Sequence, residues 1–179
     1  MSCPRSKTSK EKLIDSIKIY LTEVLEIPRE EFEGLPACPF IKKERLKNKL
    51  MIDVFDNENE SFLDKITVFI KSSYTDAVFA QILDEPLSTE NSKTYQRFLN
   101  DVLKDNFENY KTIVINPNDE FNIKGFCPRS HAPCLLIVVT DRKKLDSAHS
   151  KMLNTKYFKH FNDEYLKHLH VKREELKLR

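Results

Sequence analysis

The chain has 179 residues, 40% of them hydrophobic and 32% charged, with a formal net charge of +2. That is enough apolar area for one core, which excludes a largely disordered chain, and no apolar run reaches the roughly 20 residues of a membrane span. The charge is uneven: residues 50–121 carry 14 acids against 6 bases, and residues 141–179 carry 11 bases against 6 acids, a pattern that solvated helix faces explain better than a polyanionic partner does.

In chain order, residues 1–8 read as a flexible tail with no apolar run of the signal-peptide kind. Ser9 is the expected cap of a helix to about Glu26, with Leu13, Ile14, Ile17, Leu21, Val24 and Leu25 on one face. Pro28 ends it, and residues 28–40 form an irregular segment punctuated by Gly34, Pro36 and Pro39. Residues 50–55 read as a strand, 56–60 as an acidic turn, and a helix follows with Phe62, Leu63, Ile66, Phe69 and Ile70 inward. Residues 77–83 read as the second strand. Ser88 or Thr89 caps a helix carrying Tyr95, Phe98, Leu99, Val102 and Leu103. Residues 110–115 form the third strand and 133–140 the fourth, separated by a loop over 116–132. A helix capped by Thr140 or Asp141 runs through Met152 and Leu153, and a short helix ends near Leu169. Residues 171–179 read as a charged tail.

The order α-β-α-β-α-β-β-α-α predicts a single α+β domain over 9–170, a mixed four-stranded sheet with helices packed on it. Two βαβ crossovers make the first three strands parallel, and the fourth returns antiparallel through the long loop. Thioredoxin-like folds share this element order. Their redox motif is missing, since Asp84-Glu-Pro-Leu-Ser88 stands where a Cys-x-x-Cys would follow the second strand.

With Gly34 and Gly125 the only glycines, neither a Walker loop nor a dinucleotide loop can be written, which excludes ATP or NAD bound through those motifs and leaves any other cofactor open. The aromatic residues fall in core phase rather than between Lys and Arg, which argues against a nucleic-acid platform. Four cysteines, Cys3, Cys38, Cys127 and Cys134, are too sparse for a disulfide scaffold, and a cytoplasmic location is expected.

Two segments carry candidate chemistry. Gly125-Phe-Cys-Pro-Arg-Ser-His-Ala-Pro-Cys134 gathers a thiol, a guanidinium, a hydroxyl, an imidazole and a second thiol. Arg129 is the expected anion contact, with Cys127, Ser130 and His131 as further ligand-binding candidates. Cys127, His131 and Cys134 are also spaced closely enough to share a zinc ion, with Cys38 as a fourth ligand. The second segment is Leu35-Pro-Ala-Cys-Pro-Phe40, in which Cys38 lies between prolines and just before Lys42, Lys43 and Arg45. Positive charge nearby is expected to lower its pKa and favour a thiolate, making Cys38 the candidate nucleophile. His149, His160, His168 and His170 read as solvent-exposed, and the carboxylates Asp53, Asp56, Glu58, Glu60, Asp84 and Glu85 as caps and turn formers, although Asp56 and Asp84 fall at strand C-termini, where ligands of α/β sheets bind.

The motifs Cys38-Pro-Phe40, Asn116-Pro-Asn-Asp-Glu-Phe121 and Arg129-Ser-His-Ala-Pro133 resemble, in order, those of a family of small bacterial proteins of unknown function. That family carries Cys-Pro-Phe, His-Pro-Asp-Tyr-Gln-Phe and Asn-Arg-Ser-Pro. The resemblance aligns Cys38, Pro39, Phe40, Pro117, Phe121, Arg129, Ser130 and Pro133, and departs at Asn116, His131 and Ala132. It implies emphasis on Cys38 and Arg129. The expected function is binding of a small anionic molecule with thiol-dependent chemistry, the alternatives being a non-catalytic protein-interaction module and zinc binding through Cys and His.

Overall fold

The structure is a computed structural model that describes residues 8–55, 61–168, Lys172 and Leu176. The remainder, including Cys3, Asp56, Glu58, Glu60, His170 and most of both expected tails, lies outside the described residues.

Helix α1 spans Ser9–Tyr20. Its cap is Thr8 rather than Ser9: the Glu11 amide donates to the Thr8 hydroxyl at 3.2 Å, and the Thr8 amide donates to the Glu11 carboxylate at 2.7 Å. The helix widens into a π-type turn over Leu21–Leu25, so the expected single helix to Glu26 is two pieces. A short hairpin follows, β1 (Pro28–Arg29) with β2 (Leu35–Pro36), turning through Glu33 and Gly34, both at positive φ. Then come α2 (Ile41–Leu46), β3 (Leu50–Phe55), α3 (Phe62–Ile70), β4 (Asp76–Gln81), α4 (Thr89–Asn106) and β5 (Tyr110–Ile115). The long loop leads to β6 (Leu135–Asp141), α5 (Arg142–Leu153) and α6 (Asp163–His168).

The sheet is mixed and four-stranded, in the order β3-β4-β6-β5. β3 and β4 are parallel, and β6 is antiparallel to both β4 and β5. The first three long strands therefore run in one direction, as expected, but β6 is inserted between the second and third. This explains why residues 77–80 and 135–139 are so apolar: β4 and β6 are central, covered on both faces. Every residue of β4 is buried. Ala77 and Phe79 join Ile66, Phe69, Leu99 and Leu103 of α3 and α4, while Val78 and Ala80 join Ile17, Tyr20 and Leu21 beneath α1. A third cluster of Phe32, Ile123, Phe158, Phe161, Leu166 and Leu176 ties the hairpin and the long loop to the C-terminal segment, so Leu176, within the expected charged tail, is buried.

Two polar devices place the elements around the future site. Asp76 accepts from the Thr140 hydroxyl at 2.5 Å and pairs with Lys144, which also reaches Glu44 at 3.3 Å. These contacts fix the first turn of α5 against the sheet. On the outer edge of β5, side chains of α4 replace a neighbouring strand. The Thr112 amide donates to Asn100 Oδ1 at 2.9 Å, Asn100 Nδ2 donates to the Thr112 carbonyl at 3.1 Å, and the Val114 amide donates to Gln96 Oε1 at 2.8 Å.

Candidate functional site

The 116–132 loop is built from three local turns. The Asp119 amide donates to the Asn116 carbonyl at 3.0 Å. Ile123 and Phe126 exchange main-chain bonds across Lys124 and Gly125, both at positive φ, the requirement of a tight hairpin turn. A 3-10 turn covers Arg129–His131.

One ion pair joins these turns. Arg129 Nη1 donates to Asp119 Oδ2 at 2.5 Å, with side-chain exposures of 12% and 1%. Asp119 Oδ1 accepts from the Ser92 hydroxyl of α4 at 3.1 Å, and its carbonyl accepts from the Cys127 thiol at 3.4 Å. Arg129 is thus an anchor rather than a solvent-exposed charge. Its guanidinium also lies over the Tyr165 ring, 5.7 Å from the centroid. Tyr165 stacks between Phe121 at 4.8 Å and Phe161 at 5.1 Å. Burial works to neutralise Arg129, but Tyr165, Asp119 and Tyr20 outweigh it and hold the guanidinium charged.

Arg129 and Cys38, 91 residues apart in sequence, both line a cavity of about 670 Å³. The cavity runs along the β5 edge, between α4 and the Arg142, Leu145 and His149 face of α5. Tyr157, Phe158, Phe161 and Tyr165 close its inner side. The Cys38 turn is held at both ends: the Cys38 amide donates to the Leu25 carbonyl of the π-type turn at 2.9 Å, and the Tyr157 hydroxyl donates to the Ala37 carbonyl. Beside these groups the Tyr20 hydroxyl is buried without a hydrogen-bond partner among the described residues. Burial raises its pKa, against the opposing pull of Arg129.

The expectation of a lowered Cys38 pKa is not met. Burial pushes the thiol up, and the main-chain N–H groups of Ile41 and Phe40 only partly offset that. The nearby cations are too exposed or otherwise engaged to help. Lys42 and Lys43 stand outward, and Arg45 is bound to Glu26 at 2.6 and 2.7 Å. Burial likewise pushes Cys134 up to about 11.

The other candidates fall away from the cavity. Ser130 and His131 are exposed. The Ser130 hydroxyl donates to the Cys127 carbonyl at 2.9 Å, and the His131 ring stacks on Phe126 at 5.4 Å. Cys127 is half-buried behind Arg129, its thiol spent on Asp119. Among the described residues, no three His, Cys, Asp or Glu side chains are grouped to hold a metal ion, so Cys127, His131 and Cys134 do not form the ligand set of the zinc alternative. Asp84 and Glu85 are exposed and line no part of the cavity, while Asp53 is bound to Lys10 and Lys65.

His149, read from sequence as solvent-exposed, is half-buried in the cavity wall with its ring 5.4 Å from Phe158, and the aromatic inner side was not anticipated at all. The spacing Tyr157-Phe158-x2-Phe161-x3-Tyr165, dense in aromatics within a charged segment, was the available signal. Exposed large apolar side chains occur on α1, α2, α3 and α4 and in the connecting segments, among them Ile19, Leu46, Leu63, Val68, Ile82 and Phe98. No described helix is long and apolar enough to cross a membrane. Compared with known proteins, the chain matches no family model, no curated protein and no solved structure.

Proposed function

We propose that this protein binds a small organic anion in the cavity between the Cys38 turn, α5 and the 116–132 loop. The observation that carries this reading is that Cys38 and Arg129, from separate segments, line one cavity of about 670 Å³, within the size range of small-molecule sites. The residues that support it are of the expected kind: aromatic side chains for contact area, and a few convergent polar groups for orientation. Cations outnumber anions on the wall, with Arg97, Lys111, Arg129 and Arg142 against Asp101 and Asp146. The motifs resembling the bacterial family meet here too, as Cys38 and Arg129 in the wall and Phe121 stacked beneath Tyr165. In this proposal Cys38 contacts the ligand as a neutral thiol, since burial disfavours the thiolate that nucleophilic chemistry requires.

The test is stabilisation by ligand. A ligand that binds the folded state raises the unfolding midpoint by mass action. Benzoate and 2-naphthoate at millimolar concentration are expected to raise the denaturant midpoint of the full chain and to leave an Ala148→Phe variant, whose added ring fills the cavity, unmoved. Equal shifts in both proteins, or none in the wild type, would overturn the reading.

A further inference from the structure

The cavity is not uniform along its length, and its two ends ask for different chemistry. At the inner end the wall is aromatic: Phe158 and Phe161 are 3% and 4% exposed, and Phe161 and Tyr165 stack on one another with centroids 5.1 Å apart. The cation there, Arg129, is already neutralised by Asp119 at 2.5 Å. A second charge brought to it would face a carboxylate at close range, whereas a neutral acceptor would meet its remaining N–H groups without that repulsion.

The mouth differs. Lys111 projects from β5, and Arg142 opens α5. The sheet holds them together: Lys111 is registered against Thr140, and the Arg142 amide donates to the Asn109 carbonyl at 2.8 Å. Both side chains line the cavity, and neither takes part in an ion pair or side-chain hydrogen bond among the described residues. Arg97, by contrast, is engaged by Thr94 at 3.1 Å and Glu90 at 3.7 Å. Two carboxylates, Asp101 and Asp146, share the rim. They weigh against a highly charged polyanion and leave Lys111 and Arg142 to receive one negative group.

We infer that the ligand is an amphiphilic monoanion. Its apolar body occupies the aromatic inner end of the cavity, and its single carboxylate rests between Lys111 and Arg142 at the mouth rather than on Arg129. The inference rests on the cavity reading above and adds the ligand's class and orientation.

Two probes of one shape separate the parts: 2-naphthoate, anionic at neutral pH, and 2-naphthol, neutral there. Titration calorimetry on the full chain compares the wild type with the Lys111→Gln/Arg142→Gln variant, both changes being at the solvent-facing rim. The expected result is that the double variant binds 2-naphthoate about tenfold more weakly, as loss of a charge-assisted contact predicts. Added salt should weaken wild-type binding of the same probe, and 2-naphthol should bind both proteins equally. Equal 2-naphthoate affinity in the two proteins, with 2-naphthol still bound, would overturn the orientation and leave the cavity reading standing. Failure of both probes to bind the wild type would overturn both.

Discussion

Asn100 of α4 stands in for a fifth strand: its side-chain amide both accepts from the Thr112 amide and donates to the Thr112 carbonyl on the outer edge of β5. A free edge is a template for pairing with another chain, and here the helix occupies it. Asn100→Leu removes both partners at once. It is expected to lower stability by about 2–6 kcal/mol, given a cost of about 1–3 kcal/mol for each of the two unsatisfied groups. Denaturant unfolding measures the loss, and light scattering should show concentration-dependent association through the opened edge. A loss below about 0.5 kcal/mol, the usual range for an inconsequential surface change, would show that the contact carries no weight.

The Arg129–Asp119 pair makes a second case. Breaking a buried pair by removing one member costs about 3–5 kcal/mol, whereas replacing both members together costs much less. Arg129→Met and Asp119→Leu are each expected to be severely destabilising, and the double substitution milder than their sum. Arg129→Lys should also lower the unfolding midpoint, because an ammonium cannot reproduce the planar fork over Tyr165. A double-mutant cycle with no coupling would contradict the buried-pair account.

Stability at low pH should depend on Asp53. Burial acts to raise its pKa, but hydrogen bonds from Lys10, Lys65 and the Val54 amide outweigh this and hold the carboxylate below its ordinary range. A carboxyl group depressed in the folded state contributes stability that is complete above its unfolded value of about 4 and is lost as pH falls through the folded value. Asp53→Asn should therefore be less stable than wild type at pH 7, with the gap closing as the pH drops below about 4. A gap of constant size from pH 7 to pH 2 would rule out this linkage.

Thiol reactivity follows from burial. Cys38 is expected to alkylate slowly with iodoacetamide at neutral pH, because the thiolate is scarce. Its rate should keep climbing beyond the pH at which an ordinary thiol levels off. Mass spectrometry of native protein quantifies the modification at each cysteine. Rapid labelling of Cys38 near pH 7 would restore the nucleophile expected from its sequence surroundings.

Much of the sheet was legible because strand residues announce themselves by composition. Residues 50–55 and 110–115 fall where β-branched and apolar residues predict. β4 stops at Gln81 rather than Leu83: Gln81 pairs with Leu135, the first residue of β6, and Ile82 turns outward at 64% exposure. β6 starts at Leu135, two residues after Pro133, which has no amide to give a ladder. The π-type turn was hidden, since Leu21, Val24 and Leu25 fit an ordinary helical face equally well. The candidate site was half legible. Arg129 could be singled out from its rigid loop, but nothing in sequence order says that Asp119 neutralises it, or that burial overrides the basic residues after Cys38. Those facts depend on packing between distant segments.

The bond from the Tyr157 hydroxyl to the Ala37 carbonyl links residues 120 positions apart. It has a consequence for timing on the ribosome. The sheet can close as soon as β6 has emerged, yet the aromatic inner side of the cavity comes from residues 157–165, which follow it. Until that segment docks onto the Cys38 turn, β5 and α5 border an open groove. Ligand capture therefore belongs to a late stage of maturation, and a nascent chain halted just after α5 would hold a finished sheet beside a receptor still missing its floor.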